Sequence, residues 1–301
     1  MRHLLSIADL TRDDVERILD SARSLAEVDG RLPTLRGRLV VNLFFEPSTR
    51  TSSSFELAAK RLSADVMSLK AAGSSVDKGE SLQDTILTLS QYEPAAIVVR
   101  HPRIGTPQLV ARLSDAAVVN AGDGKHQHPT QALLDLYTMR DALDRLDGMH
   151  VAIVGDVLHS RVARSLIQAL ALVGARTTLV GPPTLLPRGV EALGCETATE
   201  LGAIAAADVV YVLRLQRERM ESALVPSLRE YAARWGITPE RLRPGQVVLH
   251  PGPINRGVEI DGRVADGPQS LVLNQVRAGL AVRMAVLQEL LVARPALEVV
   301  A

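Results

Sequence analysis

Residues 37–64 read GRLVVNLFFEPSTRTSSSFELAAKRLSA. The run from Leu39 to Phe45 is apolar almost throughout and ends at Pro47, as in a strand covered on both faces. Beyond it, Phe55, Leu57, Ala58 and Leu62 recur at helical spacing. The stretch is therefore strand, short loop, helix.

The alternation continues along the chain. Upstream, residues 8–28 place Val15, Ile18, Leu19, Ala22 and Leu25 on one helical face, with Thr11 as N-cap. Downstream, 63–69 reads as strand, 81–92 as helix, 95–102 as strand, 106–115 as helix, 116–122 as strand and 130–146 as a long helix. A second series opens at 147–156 with a strand. It continues with a helix at 161–174, a strand at 176–182, a helix at 187–194, a strand at 208–215 and, past a polar stretch, a strand at 246–253. Residues 270–292 form a last amphipathic helix. Repeated β and α units with apolar strands predict parallel sheets. The fold class expected is α/β: two similar-sized domains, each a parallel sheet flanked by helices, with the C-terminal helix packing back on the first. The break falls near 144–149, and the domains expected are 1–145 with the helix at about 270–301, and 146–269.

Composition narrows the function classes. The chain has 301 residues, 47% hydrophobic and 23% charged, with 34 basic residues against 34 acidic. That balance suits a folded globular protein, and nothing global draws it to nucleic acid or an anionic membrane. An anion site must be local. The single cysteine, Cys195, allows no intrachain disulfide and no cysteine zinc site, which points to a reducing compartment. Residues 1–19 lack an apolar signal core, and the longest apolar runs fall short of the ~20 residues of a membrane helix. The expectation is a cytoplasmic chain.

Pro47-Ser48-Thr49-Arg50-Thr51-Ser52 lies between strand and helix. Free amides at a helix start, with hydroxyls and a guanidinium, make a dense donor set for a phosphate. A Walker loop is absent, since no Gly-Lys-Ser/Thr occurs there. In the second series, residues 151–156 (VAIVGD) carry only Gly155 of a dinucleotide fingerprint, so no nicotinamide cofactor is expected.

Five segments in order, Phe45 to Ser52, Arg100-His101-Pro102, Asn120-Ala121-Gly122-Asp123-Gly124, Gln127-His128-Pro129-Thr130-Gln131 and His250-Pro251-Gly252-Pro253, resemble the aspartate/ornithine carbamoyltransferase family. The resemblance implies transfer of the carbamoyl group of carbamoyl phosphate to the α-amine of L-aspartate, in pyrimidine biosynthesis. It makes 1–145 the carbamoyl-phosphate-binding domain and 146–269 the aspartate-binding domain. By motif, Ser48, Thr49, Arg50 and Thr51 match the phosphate-binding residues, and Arg100, His128 and Gln131 those around the carbamoyl group. His101 and His126 carry no role in the pattern. Residues 74–81 look like a loop that reaches a neighbouring subunit's site, so Ser74 and Lys78 would act in trans within a homotrimer. Lys78 is one of only four lysines in the chain, a weak hint that a compact point charge is wanted.

Arg161, Arg214 and Gln216 match the family's aspartate-binding residues. Two guanidiniums suit a dicarboxylate and repel the cationic side chain of ornithine. His250-Pro251-x-Pro253 is the aspartate form of its segment, where ornithine enzymes usually carry His-Cys-Leu-Pro. Gly252 departs from the leucine of some members, and the carbonyls of Gly252 and Pro253 would meet the substrate amine.

Amine attack makes an oxyanion while a phosphate leaves, so donors placed for both charges suffice. Thr51, Arg100 and His128 face the oxyanion in this reading, and Arg50 the leaving group. The departing phosphate takes the amine proton, so neither a nucleophile, a metal nor a cofactor is expected. A carbamoyltransferase for ornithine or another amine, and a silent scaffold within a pyrimidine-pathway assembly, remain as alternatives. A dihydroorotase or a regulatory chain stays open as a partner.

Overall fold

The computed structural model describes residues 1–70, 79–216, 220 and 224–292. The chain divides into two compact units, one of Met1–Leu133 with Arg277 onward, the other Leu134–Val276.

In the first unit, α1 (Arg12–Ala26) starts at Thr11, whose hydroxyl accepts the Asp14 amide while Asp14 reaches back to the Thr11 amide. This reciprocal cap satisfies two donors that a helix start leaves unpaired. The sheet contains β1 (Leu39–Phe44), β2 (Asp65–Lys70), β3 (Ala96–His101) and β4 (Ala117–Asp123), all parallel, in the order β2-β1-β3-β4. Between them run α2 (Thr49–Arg61), α3 (Leu82–Ser90) and α4 (Thr106–Leu113).

Val41, Leu43, Ile97, Val99 and Val118 pack against Ile86 and Leu89 of α3 and Val110 of α4. β4 is buried along its whole length. Its free edge is closed at Leu4, which donates to Val118 O and accepts from Asn120 N at 2.8 and 2.9 Å. That contact removes an unpaired edge.

α5 (Pro129–Leu143) leads from the first unit into the second. There β5 (His150–Val154), β6 (Arg176–Val180), β7 (Glu196–Ala198), β8 (Val209–Val212) and β9 (Val247–Leu249) form a parallel sheet in the order β7-β6-β5-β8-β9. α6 (Arg161–Leu172) and α7 (Leu228–Trp235) accompany it, with a short α8 (Gly262–Ala265). Ala152, Val154, Val180, Val210, Val212 and Val248 pack with Ile204, Ile237, Ile260 and Val264. A buried polar network adds to this apolar core: Asp135 of α5 accepts from Tyr211 Oη of β8 and from Gln275 Nε2, both at 2.7 Å.

The last helix, α9 (Val272–Leu291), returns the chain to the first unit. Glu289 meets Arg17 of α1 at 3.0 Å, and the Arg283 guanidinium lies 5.1 Å from the Phe55 ring centre. The α/β class and the returning C-terminal helix are thus as expected from the sequence.

Three local readings are corrected. Residues 187–194 do not form an α-helix; single 3-10 turns occur at Pro183–Leu185 and Val190–Leu193. Gly189 and Gly194 are left-handed, with φ of 72° and 81°, which breaks any regular helix between them. β7 escapes notice because Glu196 and Thr197 are exposed, so this three-residue edge strand has no apolar run. α7 lies in what reads as a polar stretch; its buried residues are only Tyr231 and Trp235, four apart.

Candidate active site

Parallel sheets present their loops at the carboxyl ends of the strands, where ligands bind in such folds. In the first unit the loops after β1 and β4 and the end of β3 hold the expected residues, and β1, β3 and β4 are neighbours.

α2 starts at Thr49 with Ser48 as N-cap, yet the Ser48 side chain makes no capping hydrogen bond. The Ser48 hydroxyl instead lies 3.1 Å from Arg100 Nη1, which also approaches Thr51 Oγ1 at 3.5 Å. Arg100 is the second-last residue of strand β3, and its register is fixed by Phe45 N donating to Arg100 O at 2.8 Å. The result is an uncapped helix start, two hydroxyls and a guanidinium in one place. Such a cluster is a ready anion site.

Glu46 sits at its rim. Its Oε2 is 3.1 Å from Arg100 Nε, and both side chains are largely covered. The carboxylate holds one edge of the planar guanidinium and leaves the other toward Ser48 and Thr51. Thr51 is buried, whereas Thr49 and Arg50 are exposed. Nearby protein removes water from the Arg50 guanidinium and lowers its pKa from the ordinary value. An arginine stays charged under such a shift, so Arg50 is a permanent cation next to the helix start.

His128 and Gln131 are both buried. Asp123, wholly buried, accepts the amides of Gln127 and Gly105 and the Asn120 side-chain amide at 2.9–3.0 Å. With Asp123 N donating to Gln127 O, this closes a tight loop that delivers His128 to the start of α5. The His128 carbonyl accepts from Gln131 and Ala132 N at 3.0 and 3.3 Å, so its backbone opens the helix. His101 packs edge-on against Phe45, and its Nδ1 accepts the Arg103 amide at 2.9 Å. Burial first, and the Arg103 charge second, lower its pKa and favour the neutral ring.

The second unit repeats the arrangement on its adjacent strands β5, β8 and β9. Arg161 is buried at the start of α6, behind the N-cap Ser160. Asp156, just after β5, accepts the Gln216 amide through Oδ2 at 3.1 Å and binds His159 N and Nδ1 through Oδ1. The Gln216 side chain in turn donates to His159 O at 3.2 Å. This carboxylate therefore joins the loop leading to Arg161 with the segment carrying Arg214 and Gln216. After β9, Gly252 and Pro253 share a cis peptide bond, and Gly252 N donates to His250 Nδ1 at 2.8 Å. Ser74 and Lys78 lie outside the described residues.

Glu46, Asp123, Asp156 and Glu259 carry no role in the sequence reading. Their one signal was a place inside or beside the motifs. What gives each its part is the set of amides or cations that the fold brings to it.

Comparison with known proteins decides the family. The carbamoyl-P binding domain model of aspartate/ornithine carbamoyltransferases matches residues 2–141, and the Asp/Orn binding domain model matches 147–290. This chain belongs to the aspartate/ornithine carbamoyltransferase family. Among the carbamoyltransferases it resembles is the aspartate carbamoyltransferase catalytic subunit of Acidothermus cellulolyticus, 57% identical over 97% of this chain and 93% of that protein. The corresponding subunit of Sorangium cellulosum is 55% identical over 95% and 92%. A solved relative is the Trypanosoma cruzi aspartate transcarbamoylase in complex with N-(phosphonacetyl)-L-aspartic acid, with a TM-score of 0.88, 32% identity and 96% of each chain covered. The M. Jannaschii catalytic subunit has a TM-score of 0.87 and 38% identity, over 98% of this chain and 99% of that one. Among the described residues, no helix is long and apolar enough to cross a membrane.

Proposed function

We propose that this chain transfers the carbamoyl group of carbamoyl phosphate to the α-amine of L-aspartate, giving N-carbamoyl-L-aspartate and phosphate for pyrimidine biosynthesis. The observation that carries the reading is the uncapped start of α2 with Arg100 turned onto Ser48 and Thr51. It offers paired donors for a phosphate and for the oxygen of an adjoining carbonyl. Relatives of the same family are named for this reaction, and one solved relative holds carbamoyl phosphate and aspartate.

Ser48, Thr49 and Arg50 take the phosphate, and Thr51, Arg100, His128 and Gln131 the carbamoyl group. The amine nitrogen attacks the carbonyl carbon; the C–N bond forms, the carbonyl oxygen gains charge, and the C–O bond to phosphorus then breaks. The departing phosphate accepts the amine proton. The protein's contribution is to orient the reactants and stabilise the two charges with fixed donors. On the acceptor side, Arg161 and Arg214 grip the two carboxylates, Gln216 supports them, and the Gly252 and Pro253 carbonyls receive the amine.

The working form in this reading is a cytoplasmic homotrimer in which Ser74 and Lys78 of one chain complete the site of the next. A dihydroorotase or regulatory chain is the partner class to look for in a larger assembly.

The test is direct. Purified chain is incubated with carbamoyl phosphate and either L-aspartate or L-ornithine, and the carbamoylated product is measured. Turnover confined to aspartate is the expected result. Turnover of ornithine refutes the acceptor assignment, and binding of carbamoyl phosphate without turnover of either amine refutes catalysis by the chain alone.

A further inference from the structure

Glu259 lies nine residues beyond His250, at the far end of the segment that contains Gly252 and Pro253. It is 1% exposed, as is His250. Its Oε1 accepts the Asn255 amide at 2.6 Å and faces His250 Nε2 at 3.3 Å. On the other edge of the ring, His250 Nδ1 accepts the Gly252 amide at 2.8 Å. An imidazole nitrogen that accepts a hydrogen bond carries no proton, so in the neutral ring the proton sits on Nε2, facing Glu259.

The chain of cause is short. The carboxylate selects the tautomer, the tautomer leaves Nδ1 free to accept, and Nδ1 fixes the Gly252 amide. The Asn255 bond holds the same loop from its other side. The backbone that carries the ring is tied as well, because the His250 amide donates to Gln275 Oε1 at 2.9 Å.

A buried carboxylate is a poor choice for stability alone. Among the described residues Glu259 Oε2 finds no hydrogen-bond partner, and neither does the Tyr231 hydroxyl, although both atoms are buried. Burial and the Glu259 and Asp156 charges together push the Tyr231 pKa up, so the phenol keeps its proton. A leucine at 259 would avoid the unpaired oxygen and its desolvation cost. What a leucine lacks is an acceptor for His250 and Asn255.

We propose that Glu259 is a positioning residue for the acceptor amine: through the His250 imidazole and the Asn255 amide it holds the Gly252 and Pro253 carbonyls where the amino group of aspartate binds. The inference rests on the proposed reading of this loop as the amine site.

Steady-state kinetics of the intact chain test it. Glu259→Leu removes the acceptor and is expected to raise the KM for aspartate at least about tenfold, with the KM for carbamoyl phosphate within about twofold of wild type. Glu259→Gln keeps an oxygen at the Oε1 position and should bring the aspartate KM back to within about threefold. An unchanged aspartate KM in Glu259→Leu overturns the proposal, as does an equal rise in both KM values or a failure of Glu259→Gln to rescue. If Glu259→Leu does not fold, neutron diffraction from wild-type crystals exchanged into heavy water decides instead: a deuteron on His250 Nε2 is expected, and one on Nδ1 overturns the proposal. A wild-type chain inactive with aspartate refutes the functional reading and this inference with it. An active wild type with an unaltered Glu259→Leu variant refutes this inference alone.

Discussion

Arg100 is held by Glu46 through one edge of its guanidinium, Nε to Oε2 at 3.1 Å, while its Nη1 is turned 3.1 Å from the Ser48 hydroxyl. The division depends on a planar fork whose donors point in fixed directions. An ammonium at the end of a lysine has no such geometry.

Arg100→Lys is therefore expected to lower turnover about 100-fold or more despite the retained charge, in line with the loss of an oxyanion donor. The thermal midpoint should move little, because a lysine keeps a positive charge beside the Glu46 carboxylate. Activity within about fivefold of wild type would show that charge alone suffices at this position.

Arg50 is exposed, so its loss should spare the fold. Arg50→Ala is expected to abolish most turnover, about 100-fold or more, with an unchanged circular dichroism spectrum. Lys78→Ala should be similarly inactive if it acts in a neighbour's site. Mixing the two variants after subunit exchange should then restore part of the activity, since some sites receive both intact residues. No recovery after mass spectrometry has shown mixed oligomers would contradict a shared site.

His101 supplies a pH signature. Its folded pKa is lowered by burial, so between that value and the ordinary 6.5 the unfolded chain binds the extra proton. The stability involved is fully present above about pH 7 and is lost as pH falls through the folded value. Urea midpoints of wild type and His101→Gln, compared from pH 7.5 to 5.5, should converge or cross, with the wild type falling more steeply. Parallel curves would show that His101 does not titrate differently on folding.

Tyr211 donates to Asp135 at 2.7 Å in a buried network. Tyr211→Phe keeps the ring and takes one donor from a buried carboxyl group, a loss of ~1–3 kcal/mol. Denaturant unfolding should show a lower midpoint with an unchanged slope. A midpoint equal to wild type would mean that Asp135 is satisfied without the tyrosine.

The alternation of strand and helix was readable because it is a local property. β1 declares itself by an apolar run and α1 by five apolar residues on one face with Thr11 before them. β7 and α7 were not readable, because an exposed three-residue edge strand and a helix with two buried residues leave almost no hydrophobic pattern. Nor does local pattern exclude an α-helix at 187–194, where left-handed Gly189 and Gly194 decide the matter.

For the candidate site the sequence by itself determined the chemical inventory: the hydroxyls and arginine of 48–51, Arg100, His128 and the arginines of the second unit, each recognisable from a short motif. Only the tertiary structure decided which of them are neighbours, because strand order is not written in chain order. The order β2-β1-β3-β4 sets residue 100 beside residues 48 and 51, and β5-β8-β9 sets the Asp156 loop beside Gln216. The supporting carboxylates Glu46, Asp123, Asp156 and Glu259 belong to that second category. A carboxylate acquires a role from the donors that surround it, and hydrogen bonds act over about 3 Å of space whatever the separation in sequence.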